Sequence, residues 1–299
     1  MKQLLCSLQW RLVAMTIAGS AIAQEEPNRV PVDINTFAQI AEHFQYDRSM
    51  PLKSQVIGFW PHRNPYTIEK VSFESIHGKR VPAYFACPKD TNGTQYPAVL
   101  LLHGRNEFWG KNEDWALEWM DILARSNRCV LVPDLPGFGE RKQADEPYSS
   151  RVGPYTRRDM TIQSVTDQRR GLDYLFSRFE VDTTKVGLLG GSMGGYYGTL
   201  VAGLDKRLSA VVITVAGAWP SGVSTNDSFL QYRHTLNFAP RISAPVLMVN
   251  ATGDGREGGE ELFMAMPEPK KQIWYESSHY LPPREYNADI MAWLDLHLR

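Results

Sequence analysis

The sequence is short of the features that several protein classes need. Its 299 residues hold three cysteines (Cys6, Cys87 and Cys129), too few for a disulfide scaffold or a cysteine-rich zinc module. It has no surplus of either charge: 32 basic side chains stand against 33 acidic ones, a formal net charge of -1. Nothing therefore gathers phosphates, and nucleic acid is not an expected partner. Beyond residue 23 no apolar run is long enough to span a bilayer, and no internal repeat occurs. Histidine or cysteine pairs with metal-ligand spacing are missing, so no metal is expected. Gly137-Phe138-Gly139 lacks the third glycine and the helix start of a dinucleotide fingerprint, which leaves no cofactor signal. What remains is ordinary globular composition, 43% apolar and 22% charged.

The start of the chain reads as an address. Lys2 and Arg11 precede an apolar stretch from Leu12 to Ala23 that ends Ala21-Ile22-Ala23. A basic segment, a short apolar core and an A-x-A ending make a secretory signal peptide over 1–23, too short for a lasting membrane anchor. Export to the periplasm or beyond is the expectation. Residues 24–66 form an N-terminal arm in which Ile34, Phe37, Ile40, Ala41 and Phe44 recur at helical spacing. The body is expected over 67–299.

That body alternates. Residues 67–75 and 81–87 flank His77-Gly78-Lys79 as a hairpin. Then come short, wholly apolar runs at 98–102, 129–132, 186–189, 210–215 and 246–249, with a further strand candidate at 271–275. Strands apolar on both faces belong in a parallel sheet covered by helices. The intervals supply them, through Trp115, Trp119, Ile122 and Leu123, then Ile162 to Phe179, then the segment after Ser192, and finally Ile290 to Leu298. The pattern predicts an α/β fold with helices on both faces of the sheet.

Within that alternation, Gly190-Gly191-Ser192-Met193-Gly194 is a G-x-S-x-G between a buried strand and a helix. The flanking glycines permit the sharp turn that exposes a serine hydroxyl, and the following helix start favours a developing oxyanion. In such a site the acid and the histidine follow in the chain. Asp254 lies in a glycine-rich loop after the run 246–249, and His279 lies in a loop before the last helix. His279 would relay the serine proton, and Asp254 would hold the imidazole tautomer. Glu257 and Asp227 are rival acids. The remaining histidines, His43, His62, His77, His234 and His297, read as surface or packing residues. His103-Gly104-Arg105 follows the strand 98–102, so the backbone N–H groups of Arg105 and Met193 are the candidate oxyanion donors. Trp109, Phe138 and Trp219 fall in loops that are candidates to line a pocket. The Arg105 side chain, with Lys111 nearby in sequence, is a candidate to grip a substrate carboxylate.

These elements resemble the α/β-hydrolase superfamily, and within it the dienelactone hydrolase and acetyl xylan esterase-like branch. The resemblance covers about 67–299 and rests on 103–105 (HGR), 134–139 (DLPGFG), 190–195 (GGSMGG), Asp254 and His279. It implies an eight-stranded, mostly parallel sheet with strand 2 antiparallel and strand 4 between strands 2 and 3. It also implies that no cofactor is needed. Dienelactone hydrolases proper carry a cysteine nucleophile, and Ser192 in that position favours a serine esterase acting on a small-molecule ester. Acetylated carbohydrate is one such substrate. A serine peptidase of the prolyl-oligopeptidase type and a catalytically silent binding protein are the alternatives. In the implied sheet order Cys87 and Cys129 sit at facing ends of antiparallel neighbours, which predicts a disulfide in an oxidising compartment.

Overall fold

The structure is a computed structural model that describes residues 28–60, 65–89, 93–106, 108–142 and 153–299. The expected signal peptide, 1–23, lies outside the described residues. The arm opens with helix α1 (Ile34–Glu42), capped by Asp33, whose carboxylate accepts the N–H groups of Asn35 and Thr36. Strand β1 (Gln55–Trp60) follows. Next come β2 (Tyr66–Glu74), β3 (Arg80–Pro88) and β4 (Tyr96–Leu102), then helix α2 (Asp114–Arg125) and β5 (Cys129–Pro133). The chain continues with α3 (Pro154–Ser177), β6 (Val181–Gly191), α4 (Met193–Leu204), β7 (Ala210–Thr214) and the short α5 (Thr235–Phe238). It closes with β8 (Val246–Ala251), α6 (Glu257–Ala265), β9 (Lys270–Tyr275) and α7 (Pro283–His297).

The strands form one nine-stranded sheet in the order β1-β2-β3-β5-β4-β6-β7-β8-β9. The expected eight strands are all present, with the antiparallel β3 second and β5 lying between β3 and β4. The ninth is β1, antiparallel to β2 at the edge, so the arm adds to its one helix a strand that the sequence reading did not include. Its sequence, QVIGFW, has neither a clean alternation nor a bounding turn signal.

Alternate residues of the central strands serve two cores. Leu100, Leu102, Leu131 and Leu188 pack under α1, α3, α4, α5 and α6, where Phe37, Leu172, Leu200, Phe238 and Leu262 meet them. Val99, Leu101, Val130 and Val212 pack under α2 and α7, against Trp119, Leu123, Ile290 and Leu294. A sheet greasy on both faces needs this double cover. The arm is bound by more than α1. Arg169 and Arg170 of α3, both buried, donate to the carbonyls of Phe44 at 2.8 Å and Met50 at 2.9 Å.

Cys87 and Cys129 are joined in a disulfide, with Cα atoms 4.2 Å apart, at the far end of the β3–β5 pair. The adjoining register pair, Ala86 with Val130, sets the two cysteines opposite each other.

Candidate active site

Ser192 stands on the turn between β6 and α4 at φ 52°, ψ -114°, a strained conformation for a residue with a Cβ. The glycines of the motif make room for that turn. A Cβ on Gly190 would lie 2.3 Å from the Gly194 carbonyl oxygen, and one on Gly194 would lie 2.0 Å from the Leu102 carbonyl oxygen. The turn is held from the next strand, because the Ser192 N–H donates to the Thr214 carbonyl at 2.9 Å.

Two further loops at the carboxyl ends of parallel strands bring the partners. His279 Nε2 is 3.0 Å from Ser192 Oγ. His279 Nδ1 lies 3.0 and 2.9 Å from the two oxygens of Asp254. The loops themselves are tied, since the Gly253 N–H donates to the Ser277 carbonyl at 2.9 Å. The structure thus assembles the three residues expected from sequence in the expected order of contact. The rival acids are occupied elsewhere. Asp227 caps a turn by accepting the N–H groups of Phe229 and Leu230, each at 2.9 Å, and Glu257 begins α6.

The 103–105 loop is fixed from behind. The Leu135 N–H donates to His103 Nε2 at 3.1 Å, which puts the ring proton on Nδ1, 2.7 Å from the Gly104 carbonyl. Burial pushes the His103 pKa down, so the ring stays neutral. In a trans peptide the carbonyl and the following N–H point opposite ways. With its carbonyl on His103, the Gly104–Arg105 peptide turns the Arg105 N–H away from the buried ring. Gly104 is gripped on its other side, where its N–H donates to Glu113 Oε2 at 2.6 Å. Burial raises the Glu113 pKa, and Asp114 adds to the rise. Met193 opens α4, and a first-turn amide has no carbonyl partner within its helix.

Lys111, near Arg105 in sequence, is drawn away from solvent: its side chain is fully buried, 2.7 Å from Asp134 Oδ2 and paired with Glu140. Burial works against its charge, but Asp134 and Glu140 outweigh that and hold the ammonium above the ordinary lysine value. The same Asp134 accepts the Lys111 N–H at 2.7 Å and the Glu140 N–H at 3.1 Å, binding the 110–112 turn to the 139–141 turn.

In front of Ser192 lies a cavity of about 600 Å³. Trp109, 59% exposed, lines it as expected. Phe138 does not: it is fully buried against the His103 ring, 5.6 Å between centroids. Trp219 is not in the lining either, and instead packs on Tyr196 beneath the Arg233 guanidinium. An apolar side chain in a glycine-rich loop has the same sequence pattern whether it faces a cavity or a core. Arg105 is likewise absent from the lining, which among the described residues contains neither lysine nor arginine. Sequence reasoning missed Glu113, Asp114 and Glu118, which do line it. Their only signal was position, on the first turns of the helix after the 103–105 loop. Thr214 and Val215 close the floor. Val215 has φ 44°, an outlier for a β-branched residue, of the kind that collects at functional sites.

Among the described residues no group of three or more His, Cys, Asp or Glu side chains is arranged to hold a metal. Nor is any helix there long and apolar enough to cross a membrane.

Comparison with known proteins agrees with this architecture. The chain is 28% identical over 180 residues to YtaP of Bacillus subtilis strain 168, described as a hydrolase, which covers 53% of this chain and 60% of YtaP. It is 23% identical over 265 residues to the uncharacterized peptidase YuxL of the same organism, covering 77% of this chain and 39% of YuxL. The chain therefore spans less than two thirds of the length of these relatives. An acetyl xylan esterase from Paenibacillus sp. R4 superposes with a TM-score of 0.70 at 18% identity, covering 91% of this chain and 98% of that one. A model of the alpha/beta hydrolase family matches residues 99–297, two thirds of the sequence and every element that carries the site, and the chain belongs to that family.

Proposed function

We propose that this chain is an exported serine carboxylester hydrolase acting on small acyl esters. The observation that carries the reading is the continuous set of contacts from Ser192 Oγ through His279 to Asp254. Ser192 Oγ attacks the ester carbonyl as its proton passes to His279 Nε2, and Asp254 stabilises the imidazolium that forms. The oxyanion is received by the N–H groups of Arg105 and Met193. Collapse of the tetrahedral intermediate expels the alcohol, which takes the proton from His279 and leaves an acyl group on Ser192. A water molecule then repeats the sequence, releasing the acid and restoring the serine. Acetylated carbohydrates, named by the acetyl xylan esterase with this fold, are one class of such esters. The basic start and A-x-A ending of 1–23 support export, as does the Cys87–Cys129 disulfide.

The test is turnover of p-nitrophenyl acetate by wild type and by Ser192→Ala. The variant should lose about a thousandfold or more in kcat, with the melting temperature within a degree or two of wild type. Retention of a tenth of the activity would exclude Ser192 as the nucleophile. YuxL, described as a peptidase, supports a second reading, amide hydrolysis at the same serine. Chromogenic peptides assayed in parallel decide between the two. N-terminal sequencing of the exported protein checks cleavage after Ala23.

A further inference from the structure

The cavity in front of Ser192 is rich in carboxylates. Among the described residues of its lining, Glu113, Asp114 and Glu118 supply three of them, with no lysine or arginine beside them and the His279 imidazole as the one basic group. Aromatic rings share the same walls. Trp109 and Trp115 lie beside the carboxylates, and Tyr280 and Tyr286 come from the segment that follows His279. Trp115 packs against the residue before the nucleophile, since a Cβ on Gly191 would lie 2.8 Å from its ring. At the floor, Thr214 Oγ1 has no hydrogen-bond partner although Thr214 is 1% exposed. That hydroxyl lies 3.2 Å from the Cβ position of Gly191.

On the reading of this site as a serine esterase, we infer that its substrate is a cationic ester, one whose alcohol carries an amine or quaternary ammonium group. Ring faces and carboxylates both attract such a group, and both sit within the one cavity that holds the nucleophile. A neutral alcohol entering the cavity would strip water from three carboxylates and return no counter-charge. A carboxylated substrate would add repulsion, and among the described residues of the lining no arginine or lysine is there to receive it. Burial raises the Glu113 pKa most and Asp114 adds to the rise while His279 opposes it, and a bound cation relieves the repulsion between the two carboxylates. Cationic selection therefore replaces the carboxylate-gripping role considered for Arg105.

The experiment compares three acetyl esters on the full exported protein at low ionic strength. Acetylcholine is the cation, 3,3-dimethylbutyl acetate has the same shape without charge, and 4-acetoxybutanoate is the anion. The expected order in kcat/KM is cation, neutral, anion, with about tenfold between the first two. That ratio should shrink toward one in about 1 M salt, and likewise in the double variant Asp114→Asn, Glu118→Gln. A wild-type ratio near one, or a ratio that the double variant leaves intact, overturns the inference. So does a neutral sugar acetate turned over better than acetylcholine. The esterase reading is judged separately, by whether Ser192→Ala abolishes hydrolysis of the neutral ester. If no ester is hydrolysed, tryptophan fluorescence reports binding directly: choline should bind at least about tenfold more tightly than 3,3-dimethylbutanol, and equal or absent binding overturns the inference.

Discussion

The two walls that meet at Ser192 are built on opposite principles. On one side, Asp254 and His279 hang from loops after β8 and β9, with side chains 31% and 45% exposed. On the other, the 103–113 segment is fastened from beneath by His103, Lys111 and Asp134, none of which reaches solvent. In the proposed mechanism the exposed wall holds groups that exchange protons and partners in each turnover, and the buried wall holds backbone amides that serve only if they stay still. That reading asks for mobility of protons on one flank and rigidity of dipoles on the other.

The largest effect that sharpens the contrast is at the exposed wall. Asp254→Asn should cost about a thousand- to ten-thousandfold in kcat through the wrong imidazole tautomer, with almost no change in thermal stability. A variant that melts early, or a crippled Glu257→Gln or Asp227→Asn in its place, would break the comparison. At the buried wall the signs reverse. Asp134→Asn strips Lys111 of its main partner in a dry setting and should destabilise the fold by about 3–5 kcal/mol, read as a lower urea midpoint. A loss under about 1 kcal/mol would mean that the network is solvated.

A third effect concerns pH. His234, buried beside Arg29, has its pKa pushed down to about 4 by burial. The unfolded chain, with an ordinary value near 6.5, binds that proton first, so stability is full above about 6.5 and declines as pH falls toward about 4. The decline should reach at most about 3 kcal/mol, measured by urea unfolding between pH 7 and 4. His234→Gln should flatten that slope, and an unchanged slope would assign it to other groups. The smallest effect falls on the join between the walls. Glu113→Ala frees the Gly104 amide and should lower kcat on a neutral ester by about tenfold, leaving the melting temperature nearly unmoved.

Legibility in the sequence followed the same division. The strands β2 to β9, the Ser192 turn, Asp254 and His279 were readable because each combines a local pattern with a fixed place after a strand. The buried wall was not. Lys111 pairs with Asp134 and Glu140, 23 and 29 residues away, and a lysine carries no local mark of burial. Trp115 could be read only as a core position of α2, though its ring also bounds the cavity. Arg169 and Arg170 fall on a helix whose buried face is partly charged, so hydropathy alone cannot find that face. The disulfide pairing came from the implied sheet order and not from spacing.

The edge strand β1 has one more property. Its register against β2 jumps between Val56 and Gly58, so that Ile57 has no partner and bulges out of the ladder. Val56, Ile57 and Phe59 are all more than half exposed there, on a strand whose outer side pairs with no other strand among the described residues. A flat, greasy, unpaired edge is a template on which other chains condense, and a bulge spoils the template by interrupting its row of amides and carbonyls. The bulge at Ile57 interrupts that row on this strand.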